Sequence, residues 1–278
     1  MIHALQLAVI VVTAPLLQGI VKTVRARLQG RRGPSPLQPY RDLRKLLAKQ
    51  PVLPANGSWI VVAAPGIVAG VALTVAWLVP PYDGASALQI DAIGIALSLA
   101  LGRFVLVLAA LDTRSSFEAM AASREMLFAS LSEAPLILAL VLGALGAAGT
   151  LAGALGAIAL SIVMLFETAR LPVDSQETHY ELTMMHEGQV LEYSGWPLAL
   201  LQYAGYVRQL ALLALAAVLL PGDAATRTLW IVVFLALGAV LERNVAKARL
   251  FEVPQLFAIA TMLALSGVAL RVVGAGWW

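Results

Sequence analysis

Between Ala134 and Phe166 the chain runs for 33 residues without a charged side chain. As one straight helix that run would measure about 50 Å at 1.5 Å per residue. The hydrocarbon layer of a bilayer is only about 30 Å thick, so one ordinary span takes about 20 apolar residues. The wider stretch 126–168 adds one early charge, Glu133, and Glu167 at its far end. Two spans joined by a tight turn near Gly149-Thr150 use nearly all of it. That reading sinks Glu133 about two turns into the membrane. The alternative is one long tilted helix with Glu133 at the surface.

The rest of the chain offers spans at 2–21, 59–80, 91–112, 196–220, 228–248 and 254–274. Apolar residues make up 60% of the sequence, charged residues 13%, and mean hydropathy is +0.84. Soluble domains run nearer ~45–50% apolar and ~25% charged. A soluble enzyme is thereby excluded. The expected fold is an all-α integral membrane protein of about eight transmembrane helices, a single polytopic domain over residues 1–278. Positive charge follows the first apolar segment instead of preceding it, so that segment is expected to stay as a span and not to be a cleaved leader.

Basic residues decide between seven and eight spans. With eight, Lys22, Arg25, Arg27, Arg31, Arg32, Arg41, Arg44, Lys45, Lys49, Arg114, Arg124, Arg170, Arg243, Lys247 and Arg249 share one side, 15 of the 19. Arg227 and Arg271 fall on the other side, and Arg103 and Arg208 lie inside spans. The positive-inside rule reads this split as cytoplasmic loops at 22–58 and 169–195, with both termini outside the cytoplasmic membrane.

Those two loops differ. Loop 22–58 has a Pro/Gly turn at Arg31-Arg32-Gly33-Pro34-Ser35-Pro36. Tyr40, Leu43, Leu46 and Leu47 then alternate with Arg41, Asp42, Arg44 and Lys45 at helical spacing, a short amphipathic helix for the interface. A plain anchor for phospholipid headgroups fits the same pattern. The stretch 167–195 carries Glu167, Asp174, Glu177, Glu181, Glu187 and Glu192 against one basic residue, Arg170. Such a loop suits docking of a basic partner, or a funnel that gathers protons.

A charge at mid-bilayer costs on the order of 2.5–3.5 kcal/mol on insertion scales. Arg103, Arg208 and Glu133 each bear that cost, and Asp112, Glu167 and Glu242 sit near the charged ends. They mark an ion path or static pairs that fix helix register. Arg114 and Glu118, at i,i+4, read as a surface pair. His179 and His186 are seven residues apart, which is not a metal-site spacing, so a proton relay is the functional reading and no metal is expected. With no cysteine, the chain cannot hold Fe–S clusters by thiolate. No phosphate-binding loop, nucleophile elbow or nucleic-acid motif is present.

Arg31-Arg32-Gly33-Pro34 followed by Leu37-Gln38-Pro39-Tyr40 resembles the first cytoplasmic loop of the subunit 1 family of respiratory complex I. Glu167-Thr168-Ala169-Arg170-Leu171-Pro172-Val173-Asp174, then Glu177, Glu181-Leu182 and Glu192-Tyr193-Ser194-Gly195, resembles that family's acidic loop. Glu133 falls where the family has a glutamate early in its fourth helix. Thr178-His179-Tyr180-Glu181-Leu182-Thr183-Met184-Met185-His186-Glu187 is similar to the branch in membrane-bound group 4 nickel–iron hydrogenases and formate hydrogenlyases. So are Leu111-Asp112-Thr113, Ala122-Ser123-Arg124-Glu125-Met126, Arg249-Leu250-Phe251 and Val253-Pro254-Gln255. His179 stands where the complex I pattern commonly has a carboxylate.

The resemblance implies a subunit without a redox centre of its own. It would anchor soluble hydrogenase-like large and small subunits and link them to antiporter-like membrane subunits that move protons or sodium. Fe–S clusters and Ni–Fe would belong to those partners, and quinone is left open. The implied ion path is Glu133, Glu167, Asp174, Glu177, Glu181 and Glu192, and the implied docking loop is Arg31 to Pro34. The competing readings are a quinone-chamber subunit of a complex I-type NADH:quinone oxidoreductase, a free-standing secondary transporter and a passive anchor. A transporter would favour internal repeats, which are not apparent.

Overall fold

The computed structural model describes residues 2–54, 57–79, 88–174 and 184–275. Among these, regular structure is helical: α1 (Ile2–Leu28), α2 (Gln38–Leu47), α3 (Trp59–Leu78), α4 (Leu88–Asp112), α5 (Ser116–Ala144), α6 (Leu151–Glu167), α7 (Gly195–Val218), α8 (Ala224–Asn244) and α9 (Val253–Ala275). Seven of them, α1, α3, α4, α5, α7, α8 and α9, are long and apolar enough to cross a membrane. The eighth apolar helix, α6, has 17 residues, at the short end of what spans.

The 43-residue stretch therefore folds as two helices. Gly149 turns the chain with φ +78°, and its N–H donates to the Leu219 carbonyl at 3.1 Å. Thr150 caps α6 by accepting from the Gly153 N–H. The hairpin closes tightly, because a Cβ on Gly153 would lie 2.3 Å from the Ala147 carbonyl oxygen and 2.5 Å from that of Leu219.

Three boundaries differ from expectation. Helix α1 runs to Leu28, so Lys22, Arg25 and Arg27 are helical and not part of a loop. Helix α8 starts at Ala224, where Asp223 accepts from the Thr226 N–H and fixes the first turn. Helix α5 starts at Ser116, ten residues before the apolar run, because its first turns bury a polar face inside the protein.

Cross-links gather the helix ends into two sets. At one end, the Ser58 N–H donates to Asp112, the Val52 N–H to Ser194, and Lys247 to Asp174. At the other, Arg271 donates to the Leu145 carbonyl and Gln6 to that of Val79. Consecutive long helices thus alternate in direction, and the basic loops share one end.

The core is small-residue packing around α7. Ala211, Leu212, Ala214 and Ala217 of α7 are buried against Val75 of α3, Leu136 of α5 and Val163 of α6. With no hydrophobic drive between helices in lipid, such close packing holds a bundle together. The amphipathic helix α2 buries Pro39 and Leu43 and packs on α1 and α7. It does not simply float in the interface, since Tyr40 donates from its hydroxyl to the Val12 carbonyl.

Candidate functional site

Helix α5 carries a buried polar stripe. Glu118, Glu125 and Ser132 recur every seven residues, two helical turns, and all three are buried. Glu133 follows on the neighbouring edge. Pro135 next to it has no N–H, which frees the Leu131 carbonyl in mid-helix.

Four helices meet at this stripe. Arg103 of α4, itself 4% exposed, donates to Ser132 at 3.1 Å and to Glu133 at 3.2 Å. Its other contact is an ion pair with Glu167 of α6 at 3.1 Å. Arg208 of α7 approaches the second oxygen of Glu167 at 3.7 Å. Glu167 is fully buried, whereas the Glu133 side chain is 45% exposed. The order is Arg208, Glu167, Arg103, Glu133, alternating in sign from the interior to the flank. Two cations on one carboxylate explain how Glu167 is tolerated without solvent.

A second carboxylate chain lies toward the charged end. His186 Nε2 sits 3.3 Å from Glu125, and Nδ1 sits 3.8 Å from Asp174. Asp174 accepts from the Met185 and His186 N–H groups at 3.2 Å each and pairs with Lys247 at 2.7 Å. The His186 ring packs edge-on against Phe166. Burial alone would push His186 down, but the Glu125 and Asp174 carboxylates outweigh it and hold the imidazole above its ordinary value. Burial would push Asp174 up, yet His186 and Lys247 pull it well below the usual carboxylate range. Glu125 lies within electrostatic reach of Glu167, Arg103 and Arg208, so the two chains adjoin.

Above them is a cavity of about 470 Å³. His186 and Arg208 form part of its floor, α1 supplies Gln18 and Lys22, and α2 supplies Asp42 and Lys45. A volume of this size is typical of small-molecule sites.

Several expectations are revised by the geometry. Glu118 does not form a surface pair with Arg114. It is fully buried, accepting from the Thr113 hydroxyl and, at 3.0 Å, from the Glu192 N–H. Glu192 itself is exposed. Glu242 and Arg170 form a separate buried pair at 2.9 Å, joined by Arg25 of α1 at 3.0 Å and by Gln18 and Gln209. Arg31 and Arg32 are exposed beside Gly33 and Pro34, at the foot of α1. Glu177, His179 and Glu181 lie outside the described residues. Glu125 was not singled out from the sequence as a site residue. Its seven-residue spacing from Glu118 and Ser132 was the available signal. Among the described residues no cluster of three or more metal-ligating side chains occurs.

Fold and site together define a polytopic helical membrane protein with a chain of acidic and basic side chains around the buried Glu167, next to a cavity at its charged end. The chain belongs to the family described as NADH dehydrogenase, which it matches over residues 2–273. It is 35% identical to formate hydrogenlyase subunit 4 of Escherichia coli (strain K12) over 228 residues, covering 75% of this chain and 73% of that protein. It is 32% identical to hydrogenase-4 component C of the same organism, covering 76% and 71%. With NADH-quinone oxidoreductase subunit 8 of Rhodothermus marinus it shares 28% identity, covering 70% and 65%. Its fold is that of a chain of the membrane-bound sulfane sulfur reductase, an archaeal respiratory membrane complex. The TM-score there is 0.78 with 19% identity, covering 98% of this chain and all of that one.

Proposed function

We propose that this protein is the membrane anchor and ion-coupling subunit of a hydrogenase-type respiratory complex in the cytoplasmic membrane, with both termini outside. Soluble hydrogenase-like large and small subunits sit on its charged end, over α2, residues 184–194 and the Arg31–Pro34 turn. Their Fe–S and Ni–Fe centres do the redox chemistry, and this chain binds none of them. The observation that carries the reading is the alternating chain Arg208, Glu167, Arg103, Glu133, with Glu167 and Arg103 buried. Ionised groups at membrane depth are costly unless paired, and they mark ion routes.

The route begins at the cavity. His186 takes a proton there and passes it to Glu125, whose charge Glu167 feels between its two arginines. Arg103 transmits the change to Glu133. A half-exposed carboxylate at membrane depth calls for cover by another membrane subunit, and an antiporter-like subunit beside α5 would respond to the change of field at Glu133 by moving an ion through its own channel. Glu192 is exposed and its N–H donates to Glu118 of the stripe, so it would stand at the outer mouth of the route. Asp174 orients His186 and does not stand in line.

The cavity and the similarity to NADH-quinone oxidoreductase subunit 8 favour a second reading, a quinone-chamber subunit of a complex I-type enzyme. Copurification decides between them. A nickel-bearing large subunit supports the first, and quinone reduction by the purified complex supports the second. The coupling role is tested with Glu133→Gln in sealed vesicles. Electron transfer should persist while ion translocation is lost or weakly coupled. Full translocation at unchanged electron flux removes Glu133 from the route.

A further inference from the structure

At the foot of α1 a second recess of about 240 Å³ lies outside the carboxylate chain. Lys22, Arg25, Gln29, Arg31 and Arg32 line it, with Ala26 and Pro34, and no acidic side chain does. Only one of these cations meets a carboxylate among the ion pairs described above, Arg25 with Glu242. The walls are fixed by backbone. The Arg31 N–H donates to the Ala26 carbonyl at 2.9 Å, and Gly30 makes the reversal at φ +72°. Thr23 donates from its hydroxyl to the Pro34 carbonyl at 2.8 Å. A Cβ on Gly33 would lie 2.9 Å from the Thr23 Cα, and one on Gly19 only 1.8 Å from the Pro36 oxygen. The turn is clamped along the helix, so the four cations converge before any ligand arrives.

We propose that this recess binds the phosphate of an anionic phospholipid. Placement favours a lipid over a protein segment. Lys22 and Arg25 belong to the last turns of a membrane-crossing helix, Ala4–Leu28, which sets the recess at headgroup level. The same turns expose Ile20 and Val24, 39% and 38%, apolar surface for acyl chains. Arginine forks and lysine ammonium groups suit phosphate oxygens, and a short basic cluster beside a span is the usual arrangement for anionic lipids. The inference uses none of the carboxylates or arginines of the ion route; it shares Lys22 with the cavity and competes with docking on the Arg31–Pro34 turn, and the test separates the two.

The test uses the full chain with its copurifying partners, stripped of native lipid in detergent. Phosphatidylglycerol and phosphatidylcholine are titrated in turn, with bound lipid read by native mass spectrometry and stability by thermal unfolding. Phosphatidylglycerol should bind and raise Tm, and phosphatidylcholine should not. Each basic residue near an anionic headgroup is worth about fivefold in binding, so Arg31→Gln with Arg32→Gln should weaken phosphatidylglycerol by about 25-fold. Arg41→Gln with Arg44→Gln, exposed on α2 outside the recess, should leave it unchanged. If the first double variant fails to insert, Arg32→Gln alone should show the fivefold loss. Equal losses in both double variants would mean diffuse surface charge and overturn the site. Stabilisation and full competition by millimolar inorganic phosphate would make free phosphate the ligand and reject the lipid. Retained phosphatidylglycerol affinity without Arg31 and Arg32, or arm release with no change in lipid, would reassign the recess to protein docking.

Discussion

Glu167 is the residue whose surroundings leave least freedom. It has no solvent and two guanidinium groups, so removing one leaves a buried charge half compensated. Breaking a buried pair from one side typically costs about 3–5 kcal/mol. Arg103→Gln should therefore lower the Tm of the detergent-solubilised protein markedly. Arg103→Gln with Glu167→Gln should recover part of the loss. Failure of the double variant to recover would mean that Arg103 acts through Glu133 or packing and not through Glu167. His186 gives a pH test. Its protonated form is favoured in the fold, so its contribution is complete below its ordinary value of 6.5 and fades as pH climbs through the raised value. Asp174 has the opposite sign. Its contribution is complete above its ordinary 3.8 and is lost only as pH falls toward its depressed value. Thermal stability should therefore sag as pH rises above 6.5. His186→Gln should remove that sag, because Glu125 of α5, Asp174 and Arg208 of α7 would then face a group that does not titrate. An unchanged alkaline limb in His186→Gln would assign it to another group.

At the scale of elements, close backbone approach governs what the sequence can change. Gly153 sits where α6 meets the ends of α5 and α7, with two carbonyl oxygens inside the space of a Cβ. Gly153→Ala should cost about 1–3 kcal/mol by overpacking, measured as a fall in Tm. Gly66→Ala is the control, with nothing within 4 Å of the added atom. Equal Tm values for the two variants would show that the hairpin relaxes freely. That hairpin was legible in the sequence because bilayer thickness does not accommodate 33 uncharged residues as one ordinary span. Helix α2 was legible as an amphipathic turn of helix, but its seat on α1 and α7 was not, since periodicity reports a face and not its partner. The first turns of α5 were misread for a related reason. Charged residues there suggested a loop, whereas Glu118 and Glu125 face inward and are satisfied by Thr113, the Glu192 backbone and His186. Burial of a charge depends on partners distant in sequence, and no local pattern announces them. Arg103, Arg208 and Glu167 were found because intramembrane charge needs a reason. Their order along one chain needed three-dimensional neighbours.

The whole molecule is polarised from end to end. One end collects the α1 foot, α2, the 168–174 and 184–194 segments and the α8–α9 connection, with the cavity and five buried carboxylates, Glu118, Glu125, Glu167, Asp174 and Glu242, near it. The opposite end holds the tight α5–α6 and α7–α8 turns, with Arg227 and Arg271. This segregation makes the orientation testable without loss of function. The chain has no cysteine, so a single introduced thiol reports alone. Ser35 is exposed in the turn after α1, and Thr226 lies in the first turn of α8 at the other end. The 15-to-2 division of basic residues predicts a cytoplasmic position for the first, because Lys and Arg in short loops resist translocation. In intact cells, a membrane-impermeant maleimide should label Thr226→Cys and spare Ser35→Cys. In inverted vesicles the pattern should reverse. Thr226 caps with Asp223, so a third thiol at the exposed Ala225 checks that labelling reflects side and not local unfolding. Labelling of both ends from the same face would mean an even number of crossings between them, with α6 as the short helix that fails to span. Labelling of Ser35→Cys alone from outside would invert the molecule. The soluble subunits would then face away from the cytoplasm, and the docking and coupling scheme would fall with the orientation.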